Sequence, residues 1–333
     1  MSSRIVELSD PQTDAFRNKL VFQEARELLS VHSASENQKI LLMRFLVGLE
    51  VKARDSCLSF ISLPLIVYAS IAGKENAAIR IAVASLFLFL AADIADDVAD
   101  GDFAKHWGDD VSSSEGILAS GLFASALAPL ALNDASIQNQ CSCLIKTTLS
   151  KCILSMAAGQ QGDLQSSGSL HSTSPEQVIE NVQGKSGEEI AGFFLMAAQF
   201  AGADECLASE YYSIGRLVGT AGQIMSDCYE LYNVREGQDL VNGTATLPLA
   251  MHFQTLNEDS KYDFLNLLKL AQHDEEARDR VRDVVSKSGS LSQAYSFVEK
   301  CKIEAIERLQ LLDPLEPAAT ELRSIIKRTC SST

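Results

Sequence analysis

Apolar residues recur at helical spacing along almost the whole chain, and the strict alternation of a half-buried strand is rare. The pattern predicts helices over about Thr13–Leu29, Asn37–Lys52, Ser56–Ile71, Asn76–Val98, Ser114–Ala131 and Ser136–Gln161. It resumes over Glu188–Phe200, Ala208–Tyr232, Thr246–Gln254, Lys261–His273, Glu276–Lys287 and Leu291–Leu312. With 46% hydrophobic and 22% charged residues and only 7 prolines in 333 positions, little interrupts it, and the expected fold class is an all-α helical bundle. The clearest break is the Ser/Gly-rich stretch Gly162–Gln177, read as a loop that ends in a helix start: Ser174 as N-cap, Pro175 at the first helical position, Gln177 in the capping-box place. No fixed-period repeat and no linker is visible. The expectation is therefore a single domain over 1–333, with about 257–333 completing or capping the bundle.

A net charge of −16 argues against a nucleic-acid partner, which needs a Lys/Arg surplus. Eight cysteines without a CxxC pair or a zinc spacing read as reduced thiols. The start MSSRIVELSD lacks the basic and apolar blocks of a secretory signal, so a cytoplasmic protein is expected. Of the apolar runs, Cys57–Gly73 is broken by Ser59, Ser62, Pro64 and Ser70, and Ile81–Ala92 is too short to span a bilayer. Both predict buried helices, and integration into a membrane is not expected.

The apolar run Leu86–Leu90 leads into five aspartates within ten positions: Asp93, Asp96, Asp97, Asp100 and Asp102. On a helix Asp96 and Asp100 lie one turn apart on one face, with Asp93 and Asp97 in the adjacent row. Such a pair suits a hard cation such as Mg²⁺, which takes oxygen ligands and keeps waters and phosphates in its other positions. A second helix repeats the spacing with Gln223, Ser226, Asp227 and Glu230, beside Gly219 and Gly222, which leave room for close approach to its backbone. Opposed faces of this kind form metal and phosphate sites in helical bundles.

Five ordered segments resemble the motifs of the trans-isoprenyl diphosphate synthases and of the class I terpene synthases that share their fold. DDVAD (Asp96, Asp97, Asp100) is similar to DDxxD, GQQGDL (Gly159–Leu164) to GQxxDL, and KSG (Lys185, Ser186) to the diphosphate-binding Lys-Thr/Ser step. GQIMSDCYE resembles a degraded FQxxDDxxD, and DLVNGTATLPL (Asp239–Leu249) resembles DLxxGKxTLPL. The resemblance implies Mg²⁺ ions, an allylic prenyl diphosphate whose C–O bond ionises in a dry apolar cavity, and a homodimer. It implies Asp96 and Asp100 as principal Mg²⁺ ligands with Asp97 supporting them, and Asp227, Glu230 and Ser226 for the other ions. Lys185 would hold the diphosphate, and Gln160, Asp163 and Gln223 would orient ligands and waters. Thr244 stands where the motif has lysine.

Other departures shape the functional expectation. The family's basic GGKRxRP segment is replaced by SFISLPL: if Pro64 is the counterpart of its proline, Phe60–Leu63 stand where the cations belong. The Arg-Arg pair after the first motif is absent, and Lys52, Arg54, Lys105 and His106 are the nearby substitutes. Ala91 and Ala92, five and four positions ahead of Asp96, replace the bulky residues that floor the family's cavity, favouring farnesyl or longer tails. Phe87 and Phe89 are candidates to close the cavity from elsewhere, and they join Phe193, Phe194, Tyr229 and Trp107 as candidate cation-stabilising aromatics. The leading expectation is a class I terpene synthase that quenches the cation intramolecularly. The alternatives are a trans-prenyltransferase, elongating with isopentenyl diphosphate or using another acceptor, and a non-catalytic subunit of a prenyl synthase.

Overall fold

The computed structural model describes residues 11–56, 59–133, 139–166, 168–232 and 237–329. Among these there is no strand. In chain order the helices are α1 (Pro11–His32), α2 (Glu36–Ser56), α3 (Leu63–Ala72), α4 (Ile79–Asp100), α5 (Phe103–Trp107), α6 (Ser113–Leu122), α7 (Ala128–Ala131), α8 (Asn139–Ser166) and α9 (Pro175–Val182). They continue as α10 (Glu188–Phe200), α11 (Glu205–Tyr232), α12 (Gln238–Asn242), α13 (Leu247–Thr255), α14 (Glu258–Ala271), α15 (Glu275–Lys287), α16 (Ser290–Leu311) and α17 (Ala318–Thr329). π-turns at Phe123–Leu127 and Gln183–Gly187 interrupt two of the helical runs.

The described residues fall into two compact units, one from Met1–Ile153, Gly192–Tyr212 and Leu309–Ile325, the other from Leu154–Ala191, Ser213–Arg308 and Ile326–Thr333. In the first, α4 is the central helix. Ile81, Val83, Leu86, Phe87, Leu88, Leu90 and Ile94 are buried on most of its faces, which is why the periodicity there gives way to a continuous apolar run. It packs against α1, α3, α6 and α7. Buried Arg17 ties α1 to Glu75 and to Glu321 of α17, and these carboxylates hold its guanidinium protonated against the cost of burial.

In the second unit α11, α13, α15 and α16 share a core that includes Ile224, Cys228, Leu231, Leu247, Leu249, Val281, Val285 and Val298. Arg282 of α15 donates from Nε to the Leu231 carbonyl at 2.8 Å, while Tyr232 donates to the Arg282 carbonyl at 3.0 Å, so the end of α11 is held from both sides. Half of the capping-box reading holds: the Ser174 hydroxyl accepts the Gln177 N–H at 3.2 Å, whereas the Gln177 side chain donates to Glu180 Oε2 at 3.4 Å rather than back to the cap. The predicted loop is shorter than expected because α8 continues to Ser166. The helix expected over Ser56–Ile71 begins instead as a short 3₁₀ turn, Ser59–Ile61, before α3, with Pro64 in its first turn.

Candidate active site

In the first unit, α4 ends at Gly101, whose left-handed backbone (φ 78°) places its N–H near the Val98 carbonyl while Asp102 N–H reaches the Asp97 carbonyl at 2.9 Å. Asp100 is exposed and Asp96 half-buried on the last turns. The negative end of the helix dipole lies there too, so the field at this surface favours a cation. Asp97 differs. It is only 9% exposed, and it accepts from Trp107 Nε1 at 2.7 Å and lies 2.5 Å from His106 Nδ1. Lys52 Nζ sits 3.0 Å from Asp93, 3.8 Å from Asp97 and 4.2 Å from the centre of the Trp107 ring. Burial pushes the Asp93 carboxyl above its ordinary range, against the pull of Lys52. Ala91 is buried and its carbonyl accepts the Ser120 hydroxyl at 2.7 Å; Ala92 is half-buried.

In the second unit three backbone segments meet at very close range. A Cβ on Gly159 of α8 would lie 2.5 Å from the Gly184 carbonyl carbon, and one on Gly219 of α11 would lie 2.2 Å from the Ser186 oxygen. These contacts seat the π-turn, a distortion that recurs at functional sites, and with it Lys185 and Ser186. Ser186 Oγ donates to Gln223 Oε1 at 2.9 Å, and Gln223 Nε2 donates to Asp227 Oδ1 at 2.8 Å. Lys185 Nζ stands 3.8 Å from Asp163 Oδ2. Although Asp227 keeps partial exposure, its dense surroundings push its carboxyl up to about 7. Desolvation is the main cause. The Gln223 hydrogen bond opposes it, Asp163 adds to it, Lys185 opposes it and Glu230 adds to it.

The structure thus brings Asp163, Lys185, Ser186, Gln223 and Asp227 together. Glu230 turns toward α12, where its Oε1 accepts the N–H groups of Gln238 at 2.9 Å and Asp239 at 3.2 Å. Ser226 is exposed on α11, Gln160 is half-buried next to Gly159, and Thr244 follows α12 with its N–H on the Asp239 carbonyl at 2.8 Å. Gly219 and Gly222 do admit close approach, but of Ser186 and of Thr329. Among the aromatic candidates, Phe87, Phe193, Phe194 and Trp107 are buried, with Phe87 against Phe123 and Trp107 against Phe45. Tyr229 is exposed, and Phe89 is half-buried against Phe60, ring centres 4.1 Å apart. The Arg54 side chain, Cys57 and Cys330 lie outside the described residues.

Among the described residues no group of three or more His, Cys, Asp or Glu side chains is assembled as a metal cage. The donors come as oxygen-bearing pairs. That suits Mg²⁺, which commonly takes one or two carboxylates and leaves its remaining positions to water and substrate phosphate, better than it suits a cation that needs a full protein cage.

The profile of the polyprenyl synthetase family matches residues 62–287. The chain belongs to this family. Family membership supports prenyltransferase activity in isoprenoid synthesis and the handling of allylic prenyl diphosphates. No curated protein matches the sequence. Among solved structures, the chain is similar to geranylgeranyl pyrophosphate synthetase from Pyrococcus horikoshii Ot3, with a TM-score of 0.79 and 22% identity over 97% of this chain and 98% of that one. It is similar also to polyprenyl synthetase from Streptomyces coelicolor A3(2), with a TM-score of 0.80 and 17% identity over 97% and 100% of the two chains. A third is polyprenyl synthase from Caulobacter crescentus CB15, solved with calcium and isoprenyl diphosphate, with a TM-score of 0.77 and 19% identity over 96% and 95%.

These relatives correct the leading functional expectation. They are a geranylgeranyl pyrophosphate synthetase and two polyprenyl synthases, none of them a terpene cyclase by name, and the terpene-synthase reading is withdrawn. It rested on the apolar segment before Pro64 and on the missing Arg-Arg pair after the first motif; Phe60 in that segment is engaged in packing with Phe89. A local exchange of cations for packing groups does not by itself change the class of reaction.

Proposed function

We propose that the chain is a trans-prenyltransferase that ionises an allylic prenyl diphosphate and elongates it with isopentenyl diphosphate. The observation that carries this reading is the cluster of Lys185, Ser186, Gln223, Asp227 and Asp163, seated by glycine contacts that admit no larger residue. Lys185 offers a point charge to a diphosphate. Gln223 orients the Asp227 carboxyl, and Ser186 fixes Gln223. Asp96 and Asp100 on α4, and Asp227 with Asp163, are the groups that would hold Mg²⁺. When bound, the cation neutralises charge developing on the leaving diphosphate.

The segment Phe60–Leu63 favours a second reading, in which the acceptor is something other than isopentenyl diphosphate, since a second diphosphate calls for several cationic partners. Incubation with Mg²⁺ and geranyl, farnesyl or geranylgeranyl diphosphate, with and without isopentenyl diphosphate, decides between them. Chain growth only in its presence is expected. Pyrophosphate release that ignores isopentenyl diphosphate would reject elongation.

The proposal includes a homodimer. Ile117 and Leu118 of α6 and Leu144 of α8 are 61%, 56% and 51% exposed, apolar side chains that a second copy would cover. The stretches Ser113–Ala131 and Cys141–Ser166 are also apolar enough, by length and composition alone, to cross a membrane. They contain Glu115, Lys146, Lys151 and Asp163, charges that are costly in a bilayer.

A further inference from the structure

We propose that Arg216 of α11 is a positioning residue that locks the register of the π-turn Gln183–Gly187, and so sets where Lys185 and Ser186 point. The consequence for turnover rests on the prenyltransferase reading above; the register itself does not.

The Glu188 N–H donates to the Gln183 carbonyl, five residues back, and this closes the turn. Arg216 joins the side chains of the same two residues. Its Nη2 donates to Gln183 Oε1 at 3.3 Å, and its Nε stands 3.2 Å from Glu188 Oε1. On an uninterrupted α-helix, at about 3.6 residues per turn, positions five apart differ by about 140° around the axis, and one guanidinium cannot reach both. A π-turn winds five residues through roughly one full turn and brings the two side chains to the same side. The clasp therefore belongs to the π register alone.

The stem of Arg216 is placed for this. A Cβ on Gly187 would lie 2.8 Å from Thr220 Oγ1 and 3.4 Å from Arg216 Cγ, so the turn rests on α11. Thr220 is buried and donates to the Arg216 carbonyl at 2.7 Å. The Glu188 side chain is 15% exposed whereas that of Arg216 is 44% exposed, so the clasp closes the turn from its solvent side. The contacts at Gly159 and Gly219 admit the close approach of the backbones; the clasp fixes rotation. Lys185 and Ser186 lie between the two gripped positions, Lys185 reaching Asp163 at 3.8 Å and Ser186 donating to Gln223 at 2.9 Å. Relaxation to the α register would turn one residue relative to the other end of the segment by about 100° and break this double engagement. A planar fork of donors suits the task better than a point charge.

Amide hydrogen exchange on the metal-free protein reads the register. Arg216→Met is expected to speed exchange at Gln183–Glu188 and leave the rest of α11 unchanged; unchanged exchange in that segment would overturn the proposal. With Mg²⁺, the same variant is expected to raise KM for the allylic diphosphate by about tenfold or more while kcat stays within about threefold, because misplacing a binding group by about 1 Å is costly. General destabilisation would instead lower kcat through the folded fraction and leave KM unmoved, and that result would overturn the proposal. Gln183→Leu removes the other arm and is expected to match Arg216→Met, with no further loss in the double variant. Arg216→Lys keeps a charge beside Glu188 without the fork. It is expected to fall between the unchanged protein and Arg216→Met, and it carries the test if the methionine variant does not fold. Calorimetric titration with Mg²⁺ and inorganic pyrophosphate completes the cycle: in a Lys185→Ala background Arg216→Met is expected to cost no further affinity. Full additivity with Lys185→Ala or with Gln183→Leu would overturn the proposal. If the unchanged protein turns over no allylic diphosphate, the prenyltransferase reading falls, and the exchange measurement by itself decides the register lock.

Discussion

Asp227 is the residue through which pH acts most directly on the candidate site. Its folded carboxyl protonates at about 7, against about 4 for an unfolded aspartate. The folded chain therefore holds this proton more tightly. The stability it contributes is fully present below about pH 4 and is lost as pH rises through about 7. In metal-free protein the urea midpoint should fall between about pH 5 and about pH 8, and Asp227→Asn should flatten that fall; an equally steep fall in the variant would show that the carboxyl is not the source. Phe89 decides a second residue-scale outcome. It precedes Asp96 by about two helical turns and so lies on the same face, whereas Phe87 points the other way into the core. With Ala92 small between them, Phe89 is the first large side chain below Asp96, and Phe89→Ala should lengthen the product, read by chromatography of the dephosphorylated prenols. An unchanged product would place the floor elsewhere.

At the scale of elements, the site depends on glycines that let backbones touch. Gly→Ala inside a helix ordinarily stabilises by about 0.5–1 kcal/mol. For Gly159→Ala and Gly219→Ala the sign should reverse, because the new methyl would meet backbone atoms at 2.5 Å and 2.2 Å. Overpacking of this kind costs about 1–3 kcal/mol or more, so each variant should melt at lower temperature and lose diphosphate release; an increase in melting temperature would mean that the segments separate without penalty. The long helices were readable because their apolar residues repeat at one period. The π-turn at Gln183–Gly187 was not, since QGKSG carries no periodic signal and its shape comes from the Gly159 and Gly219 contacts. Nor were α5 and α17. The first is too short to show a period, and the second follows Pro314 and Pro317, which read as breakers but precede its first turn.

For the whole molecule, the exposed apolar residues on α6 and α8 make the oligomeric state testable. Ile117→Glu should convert a dimer into a monomer in sedimentation equilibrium; an unchanged mass would show that this surface is not the interface. The sequence by itself determined the all-α class, the family motifs and their order, because helical period and motif spacing are local properties of the chain. It also pointed to Asp163, Lys185, Gln223 and Asp227, which the fold does gather into one cluster. Only the tertiary structure decided that Asp97 faces Trp107 and His106, that Glu230 caps α12, and that Trp107 is a packing group. Each of those outcomes depends on which donor a carboxylate meets across helices, and a one-dimensional spacing cannot specify that meeting.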